Sequence, residues 1–196
     1  MKLTHLKLVL LCLCFAPLAA AHNLKLTTAQ VVLRSETHVS IRIETNMTDL
    51  TGRIDWPGKP ETILELAAAG DDQIRALRTA LVETFSTGMP VEVGGQNLQS
   101  QRVRIARVDE LRDVLRSVVA HQIIPQMDQQ RDAHQARHND LVIHIDGFIA
   151  PSAKNRQIQI DFPGVLGPMT VSYVQPKTKT LKAGDDATRY IELLDG

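Results

Sequence analysis

Both cysteines of this 196-residue chain lie close to its N-terminus, at Cys12 and Cys14. They fall in residues 1–21, which have the three parts of a secretory signal peptide: a basic head, a short apolar run and an exit of small residues in an A-x-A pattern. The apolar run is shorter than the roughly 20 residues that cross a bilayer. We therefore expect cleavage after Ala21 and a mature chain that begins at His22.

A chain processed in this way contains no cysteine, which excludes disulfides, iron–sulfur clusters and thiolate sites. A lipoprotein anchored through Cys14 is the disfavoured alternative, because Leu-Cys-Leu rather than small residues precedes that cysteine. Removing 21 of the 196 residues leaves 175, enough to bury a core. We predict a periplasmic or secreted protein whose fold depends on packing alone.

The charge balance argues against binding to nucleic acid. Lys2 and Lys7 leave with the signal peptide, so 20 of the 22 basic residues remain against 22 acidic ones, a formal net charge of −2. A nucleic-acid-binding domain is usually strongly basic. No later segment is apolar enough to cross a membrane, so we predict no transmembrane segment after cleavage.

Alternating apolar and polar residues predict strands at both ends of the chain. Residues 24–34 and 38–44 form a predicted hairpin, and a second predicted hairpin joins residues 89–93 and 102–108 around Gly94-Gly95. The breaker-rich stretch 51–60 is predicted to be a loop. Later strands are predicted at residues 141–149, 157–162, 169–174 and 189–193, with a shorter one at 180–183.

Helical spacing of apolar residues predicts two amphipathic helices, at residues 71–87 and 109–124. Strands at both ends with helices between them indicate a mainly β fold with an α insertion: an immunoglobulin-like β-sandwich carrying two amphipathic helices. We predict one domain over residues 22–196, with the helical insertion at about residues 71–138.

Several segments of the mature chain together resemble the extracytoplasmic domain of HupE/UreJ-type membrane proteins. They are Ala21-His-Asn-Leu, the opening hairpin, Leu141-Val-Ile-His-Ile-Asp-Gly, Phe162-Pro-Gly-Val-Leu-Gly, Val171-Ser-Tyr-Val-Gln-Pro and Leu181-Lys-Ala-Gly. In that family the domain precedes a membrane portion implicated in handling nickel, cobalt or related metals. The resemblance implies a soluble periplasmic relative and a membrane protein as a possible partner.

His22 is the strongest candidate for a functional residue. An N-terminal histidine offers its α-amine and an imidazole nitrogen to one metal, and a second histidine would complete a three-nitrogen site of the kind that suits Cu(II). We therefore predict a copper or nickel site at His22. The alternative is that His22 is simply the residue that follows the cleavage site.

The second metal ligand is predicted to be one of the other histidines. His134 and His138 are four residues apart and would share a helix face, although an exposed polar helix with incidental histidines is the favoured explanation of this pair. His144 shares a strand face with Asp146, whose carboxylate could orient it, although a solvated face also accounts for the pair. Further options are His38 and His121.

No sequence signature of an enzyme is present, and we predict that the protein is not one. His134 and His138 lack the glutamate of a zinc peptidase motif, and few large aromatic residues are available for a polysaccharide oxygenase surface. Two functions remain open. The first is a periplasmic accessory protein that binds a metal through His22, and the second is a metal-free interaction module for a membrane partner.

Overall fold

The structure is a computed structural model that describes residues 26–34, 37–123, 140–151, 153 and 157–176. Within these ranges the chain has eight strands, four α-helices and one 3-10 turn at Gly164–Leu166. The strands are β1 Thr27–Arg34, β2 His38–Asn46, β3 Val91–Val93, β4 Gln96–Asn97, β5 Gln99–Ile105, β6 Asp140–Phe148, β7 Ile158–Ile160 and β8 Met169–Val174. The helices are α1 Met47–Arg53, α2 Ile63–Ala67, α3 Asp71–Ser86 and α4 Val108–Ile123.

Five strands form a large sheet in the order β5-β6-β2-β1-β8. The neighbours are antiparallel except for β1 and β8, which are parallel. Burial alternates residue by residue along β1, β2 and β6, so one face of the sheet is buried and the other faces solvent. The predicted opening hairpin is confirmed, with Val31 opposite Ile41.

The two long helices confirm the predicted amphipathic helices to within one residue at each end. Helix α3 buries Ile74, Leu77, Leu81 and Phe85, which share one hydrophobic cluster with the buried face of the large sheet. Helix α4 contacts α1, α2 and α3. The helices therefore lie on the buried side of the large sheet, and no helix within the described ranges covers its other face.

The second predicted hairpin is half right. Gly94 and Gly95 make the turn, with positive φ angles of 60° and 76°, but the returning strand is the short β4. The predicted partner, β5, pairs with β6 in the large sheet instead. Apolar alternation identified both strands and could not assign their partners, because that choice depends on residues distant in sequence.

The second sheet has three strands in the order β4-β3-β7. Its buried residues Val91 and Val93 belong to the same hydrophobic cluster as the large sheet and the helices. Next to this sheet, Gly147 of β6 lies so close to Leu98 that a Cβ atom at residue 147 would be 2.9 Å from Leu98 Cδ1. The two sheets and the helices thus share one core.

Two short helices were not predicted. Helix α1 includes the start of the expected loop 51–60, and Asn46 caps it by accepting hydrogen bonds from the backbone N–H groups of Thr48 and Asp49. Helix α2 begins with a capping box in which Thr62 and Glu65 each bond to the other's backbone N–H. Both helices are shorter than two helical turns, too short for apolar periodicity to reveal them.

The described residues form a mixed α/β structure with two sheets and four helices. The β-rich part of the expected fold and its two amphipathic helices are present. The predicted signal peptide, the polar segment 126–139 and the strands predicted at 180–183 and 189–193 lie outside the described residues.

Candidate functional site

The open face of the large sheet consists of the solvent-facing side chains of β1, β2, β5, β6 and β8. It contains a cluster of charged and polar side chains. Cross-strand register places Arg104 beside His144 and His144 beside Arg42, so that these three side chains form a row across β5, β6 and β2. The adjacent row places Arg102 beside Asp146 and Asp146 beside Ser40. A polar cluster results from residues that are far apart in sequence.

Asp146 is the centre of this cluster. Its carboxylate accepts a hydrogen bond of 2.6 Å from Arg104 Nη2 and lies 3.4 Å from His38 Nε2, and Ser40 hydrogen bonds to it as well. Partial burial alone would raise the pKa of Asp146, but the hydrogen bonds from Ser40, Arg104 and His38 lower it overall. The carboxylate is therefore ionised and holds three neighbouring side chains in place.

His144 lies in a cationic environment. Burial is the largest cause of its lowered pKa, followed by the positive charges of Arg104 and Arg42, while Asp146 and Glu44 act in the opposite direction. The imidazole is therefore mostly neutral at pH 7. Neutral imidazole is the form that binds a metal, but the two flanking arginines make the site electrostatically unfavourable for a cation.

An exposed aromatic side chain borders the cluster. Phe148, at the end of β6, is 53% exposed, and its ring lies edge-on to the His38 ring at 5.2 Å between centroids. His38 in turn contacts Asp146. The chain of contacts from Phe148 through His38 to Asp146 and Arg104 holds an apolar group beside a fixed set of charges on the open face.

The predicted metal ligands are only partly placed by the structure. His22, His134 and His138 lie outside the described residues. His144 faces solvent on the same strand face as Asp146, as expected, but the Asp146 carboxylate contacts His38 rather than serving as a hydrogen-bond partner of His144. Within the described ranges, no group of three His, Cys, Asp or Glu side chains is arranged to hold a metal ion.

The two other candidate histidines have different roles. His38 belongs to the open face, through its contacts with Asp146 and Phe148. His121 lies at the end of α4, where its Nδ1 is 2.7 Å from the Ser117 carbonyl oxygen. The structure therefore brings His38 and His144 to one surface and leaves His121 on a helix elsewhere.

A shallow hollow of about 310 Å³ extends the open face towards β8. Arg42 and Glu44, which form an ion pair, line one side of it. The rest of its lining is small or polar: Thr28, Ala29, Gln30, Thr170 and Ser172. Hydroxyl and amide groups next to an ion pair offer both donors and acceptors to a polar partner surface.

No protein-family model matches the chain, and comparisons with curated proteins and with solved structures found no match either. Among the described helices, none combines the length and the apolar character needed to span a membrane.

The sequence pattern pointed to His144 and Asp146 as candidate site residues, but not to Phe148, Arg104 and Ser40. Phe148 could have been found, because residues 144, 146 and 148 alternate along one strand and must share a face. Arg104 and Ser40 could not, because they reach Asp146 only through the pairing of β6 with β5 and β2.

The lowered pKa of His144 predicts a pH-dependent stability. The unfolded chain takes up a proton at residue 144 more readily than the folded protein, so stability is retained above the unfolded pKa of about 6.5 and falls as the pH drops below it. We expect urea denaturation at pH 7.5 and 5.5 to show a smaller loss of stability for His144→Gln than for the parent. His121→Gln, on helix α4 away from Arg104 and Arg42, serves as the control. An equal loss of stability in the parent and in His144→Gln would contradict the prediction.

Proposed function

We propose that the protein is an exported interaction module that binds a partner protein through the open face of its large sheet. The observation that carries the proposal is the exposed Phe148 ring, held by His38 beside the fixed charges of Asp146 and Arg104. Aromatic and arginine side chains dominate the energetics of protein interfaces. This combination on a sheet face left free by the helices suits an interface better than a solvated surface.

The electrostatics of the cluster favour recognition over non-specific adhesion. The Asp146 side chain is only 22% exposed and already contacts Arg104 and His38, whereas the Arg104 side chain is 70% exposed. The guanidinium group therefore has donors left for an acceptor on a partner, while the carboxylate keeps it oriented. The ordered arginine loses less conformational entropy on binding than a free one would.

The partner we propose is a membrane protein of the cell envelope. Two sequence observations support it: the signal peptide, which exports the chain, and the resemblance to the HupE/UreJ extracytoplasmic domain, which in that family precedes a membrane portion. The immunoglobulin-like sandwich remains the proposed scaffold, supported by two sheets that contribute to one core.

A second candidate function is metal binding at the N-terminus. The observation that favours it is the position of His22 directly after the predicted cleavage site, where a free amine and an imidazole can chelate one ion. Copper or nickel is the proposed ligand. This function does not need the open face, so the two proposals can be tested separately.

The interface is tested by site-specific photo-crosslinking in cells that naturally export the protein. A photoreactive phenylalanine analogue replaces Phe148, and in a matched control it replaces Leu64, which is 56% exposed on α2. We expect an adduct with one integral membrane protein from position 148 and none from position 64. No adduct at 148, or the same adducts from both positions, would overturn the proposal.

Once the partner is identified, the contribution of Phe148 can be measured directly. We expect Phe148→Ala to weaken the complex by about 30-fold, which corresponds to about 2 kcal/mol for an aromatic anchor. A substitution at an exposed position changes the free energy of unfolding by about 0.5 kcal/mol or less, so urea denaturation of the variant separates lost binding from lost folding. An unchanged affinity would remove Phe148 from the interface.

A further inference from the structure

Two sheet edges flank an apolar groove on the buried side of the large sheet. Strand β8 ends the large sheet and β7 ends the small one, and within the described part of the chain neither has a strand on its outer side. The groove has a volume of about 390 Å³. Five of its six lining residues have aliphatic or aromatic side chains: Val31, Leu33, Ile158, Tyr173 and Val174, with Gln175 as the sixth.

Tyr173, which lines the groove, is largely exposed to solvent. In the register of β1 and β8, Tyr173 is the partner of Val31, so both side chains point to the buried face of the sheet. Val31 is 1% exposed, whereas Tyr173 is 62% exposed and the adjacent Val174 is 38% exposed. Apolar side chains beside an unpaired strand edge favour the addition of a further strand.

We propose that the groove is occupied by the C-terminal segment of the same chain, residues 189–194, added as a strand beside β8. The last described residue, Pro176, directly follows Gln175, which lines the groove, and residues 177–196 come after it. The proposed occupant is thus tethered at the groove itself. A tethered segment has a high effective concentration there compared with a separate molecule.

The sequence of the occupant matches the chemistry of the groove. Strand periodicity places Ile191 and Leu193 on one face, towards the apolar lining, and Tyr190 and Glu192 on the other. The 12 residues from 177 to 188 can reach about 40 Å, which exceeds the roughly 20 Å length of β8 and allows the chain to return along it. Length and pattern are both sufficient for a strand at this edge.

Added in this way, the segment would satisfy two needs of the β8 edge. The N–H and C=O groups of β8 that point away from β1 would gain backbone hydrogen-bond partners. Ile191 and Leu193 would remove apolar surface of the groove from water. The inference is independent of the proposed binding face, which lies on the other side of the large sheet.

Amide hydrogen exchange tests this proposal on the mature chain, which is compared with a chain ending at Pro176. We expect the β8 amides that do not donate to β1 to exchange at least about tenfold faster in the shortened chain. Ile191→Asp should produce the same acceleration by placing a charge in the groove. Tyr190→Asp, on the opposite face of the added strand, is the matched control and should keep the protection.

A peptide of residues 187–196, added to the shortened chain, should restore the protection. Equal exchange in the intact and shortened chains would overturn the proposal. Protection that disappears on dilution would also overturn it, because it would indicate a second copy of the chain as the occupant. Faster exchange of the β8 amides in Leu181→Asp but not in Ile191→Asp would overturn it as well, because it would indicate the segment at 180–183. Loss of folding on shortening, with Ile191→Asp unchanged, would count against the proposal as well.

Discussion

Replacing Phe85 with alanine is expected to lower the free energy of unfolding by about 3–5 kcal/mol. Phe85 is fully buried at the end of α3 and is the largest of the completely buried side chains. It belongs to the one hydrophobic cluster that joins the helices to both sheets. Truncation removes its transfer free energy and leaves a cavity, because surrounding side chains from different elements cannot all collapse into the space.

This loss is a large share of the roughly 5–15 kcal/mol by which native proteins are stable. Urea denaturation measures it, and Phe85→Leu serves as a milder variant that keeps most of the volume. Glu83→Ala, an exposed position on the same helix, is the control and should change stability by about 0.5 kcal/mol or less. A similar effect of Phe85→Ala and Glu83→Ala would show that α3 does not form part of the core.

Removing the imidazole of His22, or adding one residue in front of it, is expected to weaken Cu(II) binding by about 100-fold. The proposed chelate needs the α-amine and the imidazole on the same first residue, so an extension abolishes it even though every side chain is kept. Isothermal titration of the mature chain, with its N-terminus verified by intact mass, measures the effect. Ni²⁺ should bind more weakly than Cu²⁺ at the same nitrogen ligands.

Copper binding at His22 should also weaken as the pH falls, because the amine and the imidazole must both lose a proton before they bind the metal. His134→Ala and His138→Ala are the matched controls and should have much smaller effects. Equal copper binding by the extended, His22→Ala and unmodified chains would eliminate the metal proposal. The interaction module would then be the remaining function.

Part of the candidate site could be predicted from the local sequence pattern of one strand. Alternation along β6 correctly predicted that His144 and Asp146 share a solvent-facing side, and it implies the same for Phe148. The neighbours that determine the chemistry are Arg104, Ser40 and Arg42, which come from β5 and β2. Strand pairing over such sequence separations depends on the whole core, so it could not be derived from local pattern.

Sequence alone determined the type and bounds of the longest elements. The spacing of Ile74, Leu77, Leu81 and Phe85 specifies a helix with one buried side in any compact arrangement, because it follows the 3.6-residue period. Only the tertiary structure decided that β5 joins the large sheet and that β8 lies parallel to β1. The physical reason is that periodicity encodes which face of an element is apolar, whereas partner choice depends on how all the apolar faces fill one core.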